Sequence, residues 1–157
     1  MAAVLVTGAA GGIGKSICDA FFAAGYQVIG VDRQDVLSEV PYNTLKFDIS
    51  RLCDSCDESE VFVKRVEEIS NGNLSVLVNN AAIQIVKPIE DITCSDWNET
   101  LRTNLLAPFM LTQKFLSLLR ESKGSVINIA SIHASATKAE FSVYATSKGA
   151  LVSLTRA

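Results

Sequence analysis

Tyr144 and Lys148 stand four residues apart in FSVYATSKGA, a segment that reads as the start of a helix, so their side chains share one face and meet. A free tyrosine, with a pKa of ~10, is a poor proton donor or acceptor at neutral pH. An ammonium group beside a phenol favours the phenolate, and the two together make a usable general acid or base. The same spacing also arises by chance, wherever a half-buried tyrosine sits beside a solvated lysine. What else the chain gathers at this place therefore decides its meaning. Ser131 follows the apolar run SVINIA, Ser125 to Ala130, and the small polar turn Asn79, Asn80, Ala81, Ala82 follows another, Leu74 to Val78.

These runs belong to a regular alternation. Ala3 to Val6, Val28 to Val31 and Thr44 to Phe47 are three more short apolar segments, which makes five expected strands. Between them lie helical patterns: Ile13 to Ala24, stopped by Gly25, and Asp57 to Ser70, closed by Asn71, Gly72 and Asn73. Ser95 is expected to cap a long helical region running to about Glu121, interrupted at Pro108, and a last helix begins near Ser142. Residues 33 to 43, with Pro41, form a connection with room for a short helix. Strands alternating with helices predict an α/β fold, a doubly wound parallel sheet covered on both faces, in a single domain over residues 1 to 157.

In such a fold the strand ends named above fall on one sheet edge, where ligands bind. The first strand runs directly into TGAAGGIG, Thr7 to Gly14, and then into a helix. Glycines in that order let the chain turn sharply and let a pyrophosphate approach the helix N-terminus, where free N–H groups and the helix dipole favour negative charge. Asp32 ends the second strand roughly 20 residues further on, where a carboxylate accepts both hydroxyls of an adenosine ribose and repels a 2′-phosphate. That favours NAD over NADP, while the neighbouring guanidinium of Arg33 could itself engage a 2′-phosphate.

Together these residues resemble the short-chain dehydrogenase/reductase family. TGAAGGIG is similar to its TGxxxGxG cofactor motif, with Gly8, Gly11, Gly12, Ile13 and Gly14 at the dinucleotide; Asp32 and Arg33 resemble its ribose-binding position, and Asp48 with Ile49 in FDIS its adenine position. NNAA is similar to the family's NNAG, bringing Asn80, Ala81 and Ala82 to the cofactor, with Ala82 in place of glycine. Asn104 in LRTNLLAPF, Ser131 in INIASIHAS, and Tyr144 with Lys148 in YATSKGA resemble the catalytic asparagine, serine, tyrosine and lysine, in the usual order and spacing.

The resemblance implies a Rossmann-type oxidoreductase that moves a hydride between a nicotinamide cofactor and a secondary alcohol or ketone. Ser131 would hold the substrate oxygen, Tyr144 would take or give its proton, Lys148 would support Tyr144 and hold the nicotinamide ribose, and Asn104 would anchor a water. The match covers the N-terminal three-fifths or so of a family member, without its last two strands and substrate lid. A catalytically impaired dinucleotide-binding or interaction fragment is therefore the alternative reading. The fifth strand would be a sheet edge. Ala145, Gly149 and Ser153 give the last helix a small-residue face for close approach, and a homo-oligomer is expected.

Composition narrows the partners. With 14 basic against 17 acidic residues, a net charge of -3 and no basic run beyond Lys64 and Arg65, the chain lacks a nucleic-acid footprint. No stretch approaches the ~18 apolar residues of a membrane span and no secretory leader is legible, so a cytoplasmic protein with reduced cysteines is expected. No metal is expected: Cys53 and Cys56 form one C-x-x-C with no second pair, and Cys94 has no base beside it in sequence. Trp97 reads as packing. His133, Gln84 and Ile85 are candidates for substrate contact.

Overall fold

A computed structural model describes residues 1–35, 39–54 and 57–157. Five parallel strands, β1 (Ala3–Thr7), β2 (Gln27–Asp32), β3 (Asn43–Lys46), β4 (Leu74–Asn79) and β5 (Ser125–Asn128), form one sheet in the order β3-β2-β1-β4-β5. β1 is buried along its whole length because both its neighbours and both its faces are covered. Successive side chains of a strand point to opposite faces. Ala3 and Leu5 accordingly join Ile29, Val31 and Leu77 in one layer, and Val4 and Val6 join Val28, Val76 and Val78 in the other. Burying each such Leu, Ile or Val contributes roughly 2 kcal/mol.

Helix α1 (Gly12–Ala23) covers the second layer through Cys18, Ile17 and Phe21. Burial raises the Cys18 thiol to about 11, which keeps it protonated and inert at neutral pH. The first layer is closed by Phe62 and Val66 of α2 (Asp57–Ser70), by Leu111 of α4 (Ala107–Lys114), by Phe115 and by Leu119 of α5 (Leu116–Glu121). In the connection expected to hold a short helix, residues 36–38 lie outside the described residues, and the flanks 33–35 and 39–42 are not helical.

The long helical region differs from expectation at both its start and its middle. Helix α3 (Cys94–Leu101) is capped by Thr93, not by Ser95: the Thr93 hydroxyl accepts from the Asp96 N–H at 3.1 Å, and the Asp96 carboxylate accepts from the Thr93 N–H at 2.9 Å. That reciprocal pair satisfies two free N–H groups at once, which Ser95 could not arrange. At Arg102–Leu106 the helix widens into a π turn, in which the Ala107 N–H bonds to the Arg102 carbonyl. Pro108 follows directly in the first turn of α4. A proline has no N–H and its ring crowds the carbonyl four residues back, so the wider turn accommodates it without breaking the rod.

Helix α6 (Ser142–Arg156) packs against α3, the π turn and β5. From β1 the sheet grows one way through β2 and β3, then the other way through β4 and β5. That reversal opens a crevice beyond the carboxyl ends of β1 and β4. β5 is the sheet's outer strand, and Ile127 on it is 41% exposed.

Candidate active site

The turn between β1 and α1 is shaped by two glycines. Gly8 has φ +71, and a Cβ on it would stand 2.8 Å from the Asn80 amide nitrogen. A Cβ on Gly14 would stand 2.0 Å from the Gly8 carbonyl oxygen, a distance no side chain can adopt. Gly12, at the start of α1, faces open space, with nothing within 4 Å of such a Cβ. A phosphate group fits that place by chemistry as well as by room, since the first N–H groups of the helix have no partners of their own.

Two side chains set the turn against its neighbours. The buried Thr7 hydroxyl accepts from the N–H groups of Asn80 and Ala81, both at 3.1 Å, and the Asn80 amide donates to the Thr7 and Gly8 carbonyls at 2.9 and 3.3 Å. The Asp32 carboxylate accepts from the Ala10 N–H and the Gln34 N–H, each at 3.0 Å. Asp48 caps the short turn Ile49–Cys53 by accepting from the Ser50 N–H at 3.0 Å.

These elements enclose a cleft of about 370 Å³. The glycine turn contributes Gly8, Gly11, Gly12, Ile13 and Gly14; the end of β2 contributes Asp32 and Arg33; Asp48 and Ile49 come from beyond β3, and Asn80, Ala81 and Ala82 from beyond β4. Every residue expected to touch only the cofactor therefore lines one cavity. The sequence reading missed Phe47, Ser50, Ile83, Glu99 and Thr103, which line it too. Glu99 and Thr103 lie one helical turn apart, a spacing that places them on one face without saying which way the face looks.

Asn104, Ser131, Tyr144 and Lys148 do not line that cleft; hydrogen bonds join Asn104 to the backbone of Tyr144 beside it, and Lys148 lies near the Tyr144 ring. The buried Asn104 amide accepts from the Ile83 N–H at 2.7 Å and donates to the Ile83 carbonyl at 2.8 Å and to the Ser147 hydroxyl at 3.0 Å. Ser147 in turn donates to the Tyr144 carbonyl at 2.7 Å. The expected role of Asn104 in anchoring a water thus meets a side chain already engaged by protein groups. Lys148 is 3% exposed, its ammonium donates to the Ile129 carbonyl at 2.8 Å, and it lies 5.8 Å from the centroid of the Tyr144 ring. Burial lowers its pKa from the ordinary lysine value.

Ser131 caps the short turn Ile132–Ala134, its hydroxyl accepting from the His133 N–H at 3.3 Å. The His133 ring stacks on Phe141 at 4.3 Å and meets Tyr144 edge-on at 5.9 Å, which places this candidate beside the tyrosine. Ile83, rather than its neighbours Gln84 and Ile85, reaches the cleft. The loop after β4 is held by Lys87, whose N–H donates to the Glu140 carbonyl at 3.1 Å and whose ammonium bonds both Asp96 oxygens at 2.8 and 2.9 Å. Lys87 and the Thr93 cap bring the Asp96 carboxyl down to about 2. Trp97 is half-buried on α3, as packing requires. Cys56 lies outside the described residues; no group of three or more potential metal ligands occurs among those described, and no helix there is long and apolar enough to cross a membrane.

A parallel α/β sheet with a glycine turn opening onto a helix N-terminus, an acid at the end of the next strand and a crevice at the reversal point defines a Rossmann-type nucleotide-binding protein. A family model described as short chain dehydrogenase matches residues 2–157. The chain belongs to that family, whose members are oxidoreductases using NAD or NADP. It is 33% identical to an L-fucose dehydrogenase of Oryctolagus cuniculus over 98% of this chain and 55% of that protein. Among solved structures it is similar to ligand-free Thermoplasma acidophilum aldohexose dehydrogenase, with a TM-score of 0.90, 30% identity and coverage of 99% of this chain and 59% of that one. A Brucella ovis oxidoreductase of the same family, solved with a partially ordered NAD, gives a TM-score of 0.85 at 31% identity, over 99% of this chain and 74% of that one. The chain spans a little over half the length of the first of these relatives.

Proposed function

We propose that this chain forms the cofactor-binding and proton-transfer part of an NAD-dependent dehydrogenase acting on a secondary alcohol or the corresponding ketone. The observation that carries the reading is the hydrogen-bonded run from Ile83, at the cleft, through Asn104 and Ser147 to the backbone of Tyr144. A pure dinucleotide-binding module has no use for the tyrosine to which this run leads, with a lysine ammonium 5.8 Å from its ring. When bound, the nicotinamide accepts or supplies the hydride. Ser131 holds the substrate oxygen; Tyr144 as tyrosinate takes the hydroxyl proton during oxidation and as the neutral phenol gives a proton back during reduction, and the Lys148 ammonium stabilises the tyrosinate form. With the cofactor bound, Lys148 would also hold the nicotinamide ribose, and Asn104 fixes the loop and helix between which these groups work.

NAD is favoured over NADP because the cleft is lined by Asp32, Asp48 and Glu99 against a single cation, Arg33. A 2′-phosphate would add negative charge to an already negative wall. The protein pairs with a copy of itself through helices: Leu105, Leu106 and Phe109 with Leu154 line an apolar groove of about 480 Å³, and light scattering at micromolar concentration should show more than a monomer. It acts in the cytoplasm on a small molecule, without nucleic acid or membrane.

Titration with NADH and NADPH, followed by nicotinamide fluorescence, tests the cofactor assignment. NADH should bind more tightly, and Asp32→Ala should weaken NADH while relaxing rejection of NADPH; tighter NADPH binding by the wild type would overturn the role given to Asp32. Tyr144→Phe should abolish turnover at unchanged NADH affinity. Binding of NADH with no turnover of any alcohol or ketone would leave the dinucleotide-binding module as the correct reading.

A further inference from the structure

The cleft wall formed by Asp48, Ile49 and Ser50 stands beyond β3, the outer strand on that side of the sheet, whose Asn43, Thr44 and Lys46 are exposed. Ile49 and Leu52 tuck into the core beneath it. Above them the turn Ile49–Cys53 is held by Arg102, the first residue of the π turn. Nη2 of Arg102 donates to the Ser50 carbonyl at 3.2 Å and to the Asp54 carboxylate at 2.6 Å, so one guanidinium bridges the second residue of the turn and the residue just beyond its end. The Ser50 N–H is given to Asp48, and Ser50 is thereby tied at both its main-chain groups.

The two residues that follow Arg102 serve other parts of the same cleft. Thr103 lines it, and Asn104 holds both main-chain groups of Ile83, which lines it from the loop after β4. Three consecutive residues thus form or fasten three parts of one cavity, and widened helical turns recur at functional sites. The Arg102 side chain is 39% exposed and that of Asp54 52%, and such a pair adds little to folding stability. What a rigid guanidinium fork supplies instead is geometry: it fixes where Ser50 stands relative to Thr103 and Ile83.

We propose that Arg102 is a positioning residue for the cofactor: by tying Ser50 and Asp54 to the π turn it sets the place of the Asp48–Ser50 wall against the rest of the cleft, and so the grip on the adenosine half of the dinucleotide. The inference rests on the cofactor reading above. Without the guanidinium, the Ser50 carbonyl turns to water and the wall keeps its core contacts through Ile49 and Leu52 while losing its fixed place. Binding that must first restore that place is weaker by about tenfold.

The test uses the native protein, with NADH followed by nicotinamide fluorescence and with ADP-ribose, which lacks the nicotinamide, displacing it. In Arg102→Met, which keeps the aliphatic stem, the Kd of both should rise about tenfold, while the unfolding midpoint stays within about 3 °C of wild type. Arg102→Lys, which keeps a charged donor, should recover part of the loss. Asp54→Asn should weaken both ligands by a smaller factor, and adding it to Arg102→Met should cost nothing further, because Asp54 acts only through the guanidinium. Arg102→Met affinities within about twofold of wild type, or a double variant weaker than Arg102→Met by the whole Asp54→Asn factor, overturn the proposal and leave the cofactor reading standing. If Arg102→Met fails to fold, Asp54→Asn decides alone, and unchanged affinity for both ligands overturns the proposal. A wild type that binds neither NADH nor ADP-ribose overturns the reading on which it rests.

Discussion

Replacing Asn104 with leucine should damage the protein through the Ile83 backbone rather than through its own lost contacts. Asn104 is 1% exposed and closes a two-bond ring on Ile83, accepting from the N–H at 2.7 Å and donating to the carbonyl at 2.8 Å. Leucine keeps the size and orphans both groups. Each unsatisfied buried group costs ~1–3 kcal/mol, and with Ile83 half-buried at the cleft the pair falls toward the lower end, ~2–3 kcal/mol, still a large share of the ~5–15 kcal/mol that holds a domain together. A loss of ~3 kcal/mol lowers the Tm of a domain this size by about 10 °C. Urea unfolding followed by the fluorescence of Trp97, the chain's single tryptophan, reads the global loss. Amide exchange at Ile83 reads the local one and should accelerate on the order of a hundredfold.

Asn104→Asp separates geometry from hydrogen-bond direction. The aspartate would face the Ile83 carbonyl where the amide now donates, and only its protonated form can donate there. Its folded pKa is therefore raised above the ~3.9 of an unfolded aspartate. With the folded value raised, the stabilising contribution is complete below pH ~4 and fades as pH rises through the folded value. This variant should approach wild-type stability near pH ~4 and fall away from it toward pH ~7. An unfolding midpoint within 1 °C of wild type for Asn104→Leu, with unchanged exchange at Ile83, would refute the reasoning outright.

Gly14→Ala, with its Cβ 2.0 Å from the Gly8 oxygen, should cost more than ~3 kcal/mol and abolish saturable NADH binding in a fluorescence titration. Thr7→Val should lose at least ~2 kcal/mol in urea, because it leaves the Asn80 and Ala81 N–H groups unpaired while preserving shape. For Lys148→Met the readout is the pH dependence of stability. Burial lowers the lysine's folded pKa, so between that value and the ordinary ~10.4 the unfolded chain binds the extra proton and wild-type stability rises with pH. The variant lacks that rise, and the stability difference, wild type minus variant, should grow as pH rises toward the ordinary lysine value of ~10.4 in chemical denaturation.

Much of this architecture was legible because burial writes itself into strands and helices directly. The apolar runs ending at Val6, Asp32 and Val78 became β1, β2 and β4 within a residue, and the helix expected from Asp57 to Ser70 has those bounds. The glycine turn at the cleft was legible for a steric reason: Gly8 and Gly14 stand where nothing larger fits, and such positions appear in a sequence as bare glycines. The start of α3 carried a readable signal that was passed over, since Thr93 has an acid three residues on and Ser95 does not. The π turn carried almost none, because a bond to the fifth residue back has no propensity signature beyond the proline that follows. Ser147, Thr7 and Glu99 were missed for a different reason. Their identities are ordinary for exposed positions, and only the assembled fold shows that two of them are buried to hold main-chain groups and that the third faces a cleft.

The grip of Asp32 on the Ala10 and Gln34 N–H groups bears on how cofactor preference can change in such a protein. A residue that only read the ribose could be exchanged freely, and selectivity would drift with it. Here the residue proposed to read the ribose is also a fastener of the glycine turn, so each exchange would loosen the loop proposed to receive the phosphates. Redesign toward a phosphorylated ribose then has two problems to solve at once. A neutral residue at position 32 needs a second substitution to re-anchor Ala10, and adding basic residues nearby without that repair would strengthen the attraction to a loop no longer held in shape.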